Sequence, residues 1–212
     1  DGEVLVIAGG GNDTLSIQGA GTVDVAMSAG DDQIDVSMRG LSNSDTIDGG
    51  DGIDTLNVGD QEVVDEDFEN VSNIENLVTT GNVTLGANAA AAGIDNVALA
   101  GDAGDIDLTG FDADVNVTGN AGDNTLMFSL ADAGVKTANL MDGDDEVIVS
   151  GAAGVVDLVF TSAEAGNGDV NDAGTLANQD GGLAVRMTGG LGNTHLFSDE
   201  SITFSGTTFN VS

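Results

Sequence analysis

The sequence predicts an all-β protein, a parallel β-roll or β-solenoid of roughly ten coils stacked along one axis. Three observations carry that expectation. A nine-residue pattern rich in Gly and Asp recurs along the chain, and short runs of alternating apolar and polar residues return about every ten residues. The 212 residues include 33 glycines and no proline, and only 3% are aromatic. Alternation closed by turn residues at that interval marks many short strands, each with one buried face. A two-sheet sandwich shares the signal, but small turn residues and scarce aromatics suit coils of about 20 residues repeating every ~4.8 Å.

In chain order, the frame G-G-x-G-x-D-x-(apolar)-x first appears at residues 8–16, AGGGNDTLS, with Gly11 fourth and Asp13 sixth. Residues 27–35, MSAGDDQID, repeat it with Gly30, Asp31 and Asp32. A tandem pair follows. Residues 40–48, GLSNSDTID, keep Asp45 in register and carry Asn43 in place of a glycine. Residues 49–57, GGDGIDTLN, meet every specified position with Gly49, Gly50, Asp51, Gly52 and Asp54. Asn tolerates left-handed backbone better than other non-glycine residues, so Asn43 is expected to preserve the turn. Further copies stand at 119–127 (GNAGDNTLM, with Asn124 sixth), 140–148 (LMDGDDEVI, with Gly143 and Asp145) and 189–197 (GGLGNTHLF, with Thr194 sixth).

Between these windows TVDVAMS, NVTLGAN, NVALAG, DIDLTG, DVNVTGN, EVIVSG and VVDLVFT read as strands, each closed by Gly, Asn or Asp. Helix is expected to be scarce, with residues 64–76 and 129–134 as helical turns or loop excursions. The chain is expected to form one continuous solenoid over 1–212. Cation-binding nonapeptide coils occupy 1–60, less regular non-metal coils 61–118, a second binding cluster 119–150, and terminal coils with closing strands 151–212.

Three basic residues against 37 acidic ones give a net charge of −34, which excludes nucleic acid and anionic membrane as main partners because either polyanion is repelled. With no cysteine, disulfide scaffolds and thiolate metal sites are excluded as well. Such a charge opposes compaction unless cations neutralise part of it, and carboxylate and carbonyl oxygens prefer a hard ion such as Ca²⁺. Glycines let several carbonyl oxygens of one turn converge, and the sixth-position carboxylate completes the shell. The expected ligand turns therefore centre on Asp13, Asp32, Asp45, Asp54 and Asp145, with Asp31, Asp51, Asp142 and Asp144 as secondary candidates. Asp13 and Asp32 are 19 residues apart, close to one full coil, whereas Asp45 and Asp54 are nine apart and belong on opposite edges. Binding free energy then becomes folding free energy, so several Ca²⁺ ions are expected to fold a loosened metal-free chain.

The windows GGDGIDTLN, AGGGNDTLS, GNAGDNTLM and GGLGNTHLF resemble the RTX nonapeptide repeats of proteins exported by type I secretion. That resemblance implies a tight Ca²⁺-binding turn in the first half of each repeat, a short strand in the second, and a parallel β-roll. Residues 70–81, NVSNIENLVTTG, are similar to a linker between such repeats in large surface-layer and adhesin proteins. An enzyme is not expected within these residues. His195 is the sole histidine and reads as a strand-surface residue, Arg39, Lys136 and Arg186 are scattered, no tryptophan or tyrosine stacks a sugar, and no catalytic motif occurs. The seven phenylalanines read as core filling and end caps.

The expected function is a calcium-binding structural repeat region of a secreted bacterial cell-surface protein, from a surface layer or adhesin, with possible self-association into a lattice or filament. The rival is the calcium-binding export domain of an RTX enzyme whose catalytic part lies elsewhere. An ice- or crystal-binding solenoid ranks last, because no regular T-x-T series is present. No run of about 18 apolar residues spans a membrane, and no export leader is visible at Asp1.

Overall fold

The computed structural model describes residues 4–140, except 20, 102, 103, 130 and 135, together with the backbone of the strands beyond. The first half of the chain runs β1 (Val4–Ile7), β2 (Thr14–Ser16), β3 (Val23–Ala26), β4 (Gln33–Asp35), β5 (Thr46–Asp48), β6 (Thr55–Gly59), β7 (Val71–Ser72) and β8 (Asn76–Thr79). It continues through β9 (Val83–Thr84), α1 (Ala87–Ala92), β10 (Asn96–Leu99), β11 (Gly104–Asp107), β12 (Val115–Thr118), β13 (Asn124–Ser129), β14 (Lys136–Asn139), β15 (Glu146–Ser150) and β16 (Leu158–Phe160). Short strands β17 (Thr175–Leu176), β18 (Ala184–Met187), β19 (Thr194–Leu196), β20 (Ile202–Ser205) and β21 (Thr208–Val211) follow.

Every second strand from β2 to β16 joins one eight-stranded parallel sheet, in the order of the chain. Opposite it, β1, β3, β5 and β7 form a four-stranded parallel sheet, and β9, β11, β13 and β15 continue a further sheet with parallel pairing. This is a β-solenoid. Its turns advance by steps such as 19, 22 and 21 residues, and it completes about six turns, not roughly ten. Dividing the chain by one coil length overcounts because β18 pairs with β19, and β20 with β17 and β21, antiparallel, which adds no further coil.

The alternation read from the sequence produces the core directly. In the eight-stranded sheet Leu15, Ile34, Leu56, Leu77, Val97, Val117 and Ala138 stack in register, one per coil. All but Leu15 are fully buried, each large aliphatic contributing about 1.5–3 kcal/mol. Their neighbours face outward, where Asn96 donates its amide to Asn76 Oδ1 at 3.1 Å and Asn116 donates to Asn96 Oδ1 at 3.2 Å. Phe68, Phe111 and Phe128 are buried inside the coil, as expected of core filling.

Of the two expected excursions, the described residues of 129–134 form a turn, in which Asp132 N–H donates to Ser129 O at 3.2 Å. Within 64–76 only Asp65–Phe68 forms a single 3-10 turn, capped where Val64 N–H donates to Asp67 Oδ2 at 3.1 Å. The α-helix lies instead at Ala87–Ala92, a run with the highest intrinsic helix propensity, ended by Gly93 at φ 101°. Its first turn is capped from another coil: Asp65 accepts from the N–H groups of Gly86, Asn88 and Ala89 at 2.7, 3.2 and 3.0 Å. Among the described residues no helix is long and apolar enough to cross a membrane.

Candidate cation site

The turns that lead into the eight-stranded sheet all lie on one edge of the solenoid, and the residue just before each of its first five strands falls in one register column with the first residues of β12 and β14. That column reads Asp13, Asp32, Asp54, Glu75, Asp95, Val115 and Lys136. Sixth-position acids therefore stack, as the 19-residue spacing predicted for Asp13 and Asp32. Asp32, Asp54 and Glu75 each accept from the backbone of the coil before. Asp13 N–H donates to Asp32 Oδ1 at 2.7 Å, Asp32 N–H to Asp54 Oδ1 at 2.8 Å, and Asp54 N–H to Glu75 Oε2 at 2.8 Å. A second ladder outside it runs the other way, with Asp31 N–H donating to Asn12 Oδ1 at 3.0 Å and Ile53 N–H to Asp31 Oδ1 at 3.1 Å.

At Asp32 and Asp54 one carboxylate oxygen is thereby satisfied and the other is not. Asp32 is 2% and Asp54 0% exposed, yet the Oδ2 atoms of both are buried without a hydrogen-bond partner. Burial pushes the Asp54 carboxyl above its ordinary range; the N–H of Asp32 opposes that, and the charges of Asp32, Glu75 and Asp31 add to it. Leaving buried anionic oxygens unpaired costs several kcal/mol (roughly) in a folded chain, so the pair calls for a positive partner.

Glycine allows the turns to approach closely enough to form this edge. At Gly50, φ is 100° and a Cβ would lie 1.8 Å from Ser28 O; at Gly49 it would lie 2.0 Å from Asn73 O and 2.6 Å from Asp54 Oδ2. Gly30 and Gly52 likewise hold positive φ against the carbonyls of Gly11 and Gly30 in the preceding coil. Gly11 has positive φ as well but faces open space. Asp51 stays exposed and serves through its backbone, donating to Ser28 O at 2.7 Å and accepting from Gly30 N–H at 2.8 Å. Among the described residues no three Asp, Glu or His side chains gather as a metal-holding group. The donor set that fits a hard cation here is two carboxylate oxygens with nearby turn carbonyls.

Asp45 lies on the opposite edge, as its nine-residue offset from Asp54 predicted, but in different company. Arg39 grips it with two bonds, Nη1 to Oδ2 at 2.8 Å and Nη2 to Oδ1 at 3.0 Å. Val23 N–H, Ser42 N–H and the Ser42 hydroxyl also donate to it, at 3.1, 2.9 and 3.1 Å. Burial alone would raise its pKa, but Arg39 and these donors outweigh it and hold the carboxyl below its usual range. Asn43 is exposed and does not take the left-handed backbone; among described non-glycine residues Ser28 (φ 83°) and Asn73 (φ 54°) do. Residues 36–45 form a longer loop closed by the Arg39–Asp45 pair, so no glycine-like turn is needed at 43.

In the window at 119–127 a neutral amide does the work of a charge. Asn124 accepts from Asn120 N–H at 3.0 Å and donates to Asn120 Oδ1 at 3.1 Å and to Gly104 O of the previous coil at 3.4 Å. Asp142, Gly143, Asp144 and Asp145 lie outside the described residues. Three participants went unread in the sequence: Glu75, which precedes its strand as the sixth-position acids do, and the cations Arg39 and Lys136. Comparison with protein families, with curated proteins and with solved structures finds no match for this chain.

Proposed function

We propose that this chain is a calcium-binding structural repeat region of a secreted bacterial cell-surface protein of the RTX kind, belonging to a surface layer or adhesin. One observation carries the reading: Asp32 and Asp54, one coil apart, each keep a buried carboxylate oxygen without a partner, in a chain of net charge −34. Ca²⁺ accepts irregular sets of carboxylate and carbonyl oxygens, which is what this edge offers. Asp32 and Asp54 would hold the ion, with Asp13 and Glu75 as the acids stacked next in line. Its charge would cancel their mutual repulsion, so the N-terminal coils gain stability in calcium-rich surroundings outside the cell. No catalytic role is assigned.

The test is calorimetric titration with Ca²⁺, paired with circular dichroism melting in calcium and in excess chelator. Calcium should raise the melting midpoint of the wild type, and Asp54→Asn should abolish most of that rise while retaining the strand spectrum. A midpoint indifferent to chelator, with no heat of binding, refutes the reading. Sedimentation in the same two buffers tests whether calcium also drives self-association.

A further inference from the structure

We propose that Lys136 is a built-in cation, its ammonium filling a carbonyl cage between two successive turns so that the coils around β12 and β14 hold together without a free ion. The inference does not depend on calcium binding at Asp32 and Asp54.

The cage is specific. Lys136 is the only lysine of the chain and is 2% exposed. Its Nζ donates to Phe111 O at 2.7 Å and Ala113 O at 2.8 Å, both in the turn before β12, and to Ala133 O at 2.5 Å in the turn before β14. All three ammonium donors are thus used, two on one coil and one on the next. The same two turns are tied by reciprocal carboxylates: Asp132 Oδ2 accepts from Gly110 N–H at 2.7 Å, and Asp112 Oδ1 from Ala133 N–H at 2.8 Å. The Phe111 ring lies 5.6 Å from Nζ, within cation–π range. Asp112, Asp114 and Asp132 surround the ammonium with negative charge, which offsets in part the cost of its burial.

Position gives the cage its meaning. Lys136 stands in the register column that carries Asp13, Asp32, Asp54, Glu75 and Asp95 in earlier coils. Where the coils of Asp32 and Asp54 bury carboxylates, this coil buries a positive charge and meets carbonyl oxygens with it. Three carbonyls in a negative field are also a ligand set for a bare hard cation such as Na⁺, K⁺ or Ca²⁺. Truncating the lysine should convert an occupied cage into a binding site of that class.

Because there is one lysine, amine acetylation followed by mass analysis of its peptide reads this position alone in the unaltered protein. Lys136 should be acetylated about a hundredfold more slowly, or less, in native buffer than in denaturant, and chelator should leave that protection in place. Acetylation in chelator at the denatured rate overturns the inference. Should calcium prove not to bind at all, protection in both buffers still supports it. In a second arm, Lys136→Ala should melt about 5 °C or more below the wild type, and added NaCl, KCl or CaCl₂ should restore part of the loss beyond any gain in the wild type. A variant that melts with the wild type, or whose deficit no cation repairs, overturns the inference.

Discussion

Arg39→Met is the sharpest probe of how this acidic chain tolerates its own charge. The Asp45 side chain is 0% exposed and that of Arg39 8%, so the pair is not screened by water. An exposed ion pair is worth about 0–1 kcal/mol, whereas removing one partner of a buried pair strands the other and costs about 3–5 kcal/mol. Asp45 retains three donors from Val23 and Ser42, which places the expected loss at the lower end, about 3 kcal/mol. Met replaces the apolar stem but not the bonds of Arg39 to Gly21 O at 2.6 Å and Gly40 O at 3.1 Å. For a chain of this size that loss lowers the melting midpoint by about 6–12 °C. The assay is circular dichroism melting at neutral pH and fixed calcium, for Arg39→Met, Asp45→Asn and the double variant. The double variant should recover part of the loss, because it no longer buries an unpaired charge. A decrease of less than about 1 kcal/mol for Arg39→Met, the value of an exposed pair, refutes the reasoning.

Two further outcomes follow from the same geometry. Gly50→Ala should destabilise by about 3 kcal/mol or more, since its Cβ would meet Ser28 O at 1.8 Å; Gly19→Ala, at φ 95° with open space around it, should lose only about 1 kcal/mol, both read as urea midpoints at constant slope. On acidification, Asp45 has a folded pKa held below its unfolded value near 3.8, so the unfolded state takes up protons first. Its contribution is complete above that value and is lost as pH falls through the lower folded pKa; a pH series of melts should show this limb in the wild type and find it absent in Asp45→Asn.

Much of the architecture could be read before any coordinates, for a local reason. TVDVAMS, NVALAG, DVNVTGN and EVIVSG became β3, β10, β12 and β15 because alternation with period two is a property of neighbouring residues, and turn residues close each run. The run of alanines from 89 to 92 was equally legible as helix by propensity, but the strand rhythm on either side masked it. The acid stack was legible in part: nineteen residues from Asp13 to Asp32 announced one coil. The later steps of 22 and 21 residues vary with loop length, so neither the rank of Glu75 nor that of Lys136 could be counted out along the chain.

By itself, the sequence determined that short parallel strands coil around an aliphatic core, that Gly-rich turns bring carboxylates to the edges, and that −34 charges require compensation. Only the tertiary structure decided which charges are compensated and by what. Arg39 reaches Asp45 within its own loop, Lys136 reaches carbonyls more than twenty residues earlier, and Asp32 and Asp54 meet across a coil with one oxygen each left over. Pairing of charges depends on distance in space, and in a solenoid that distance is set by register between coils, which local spacing constrains but does not fix.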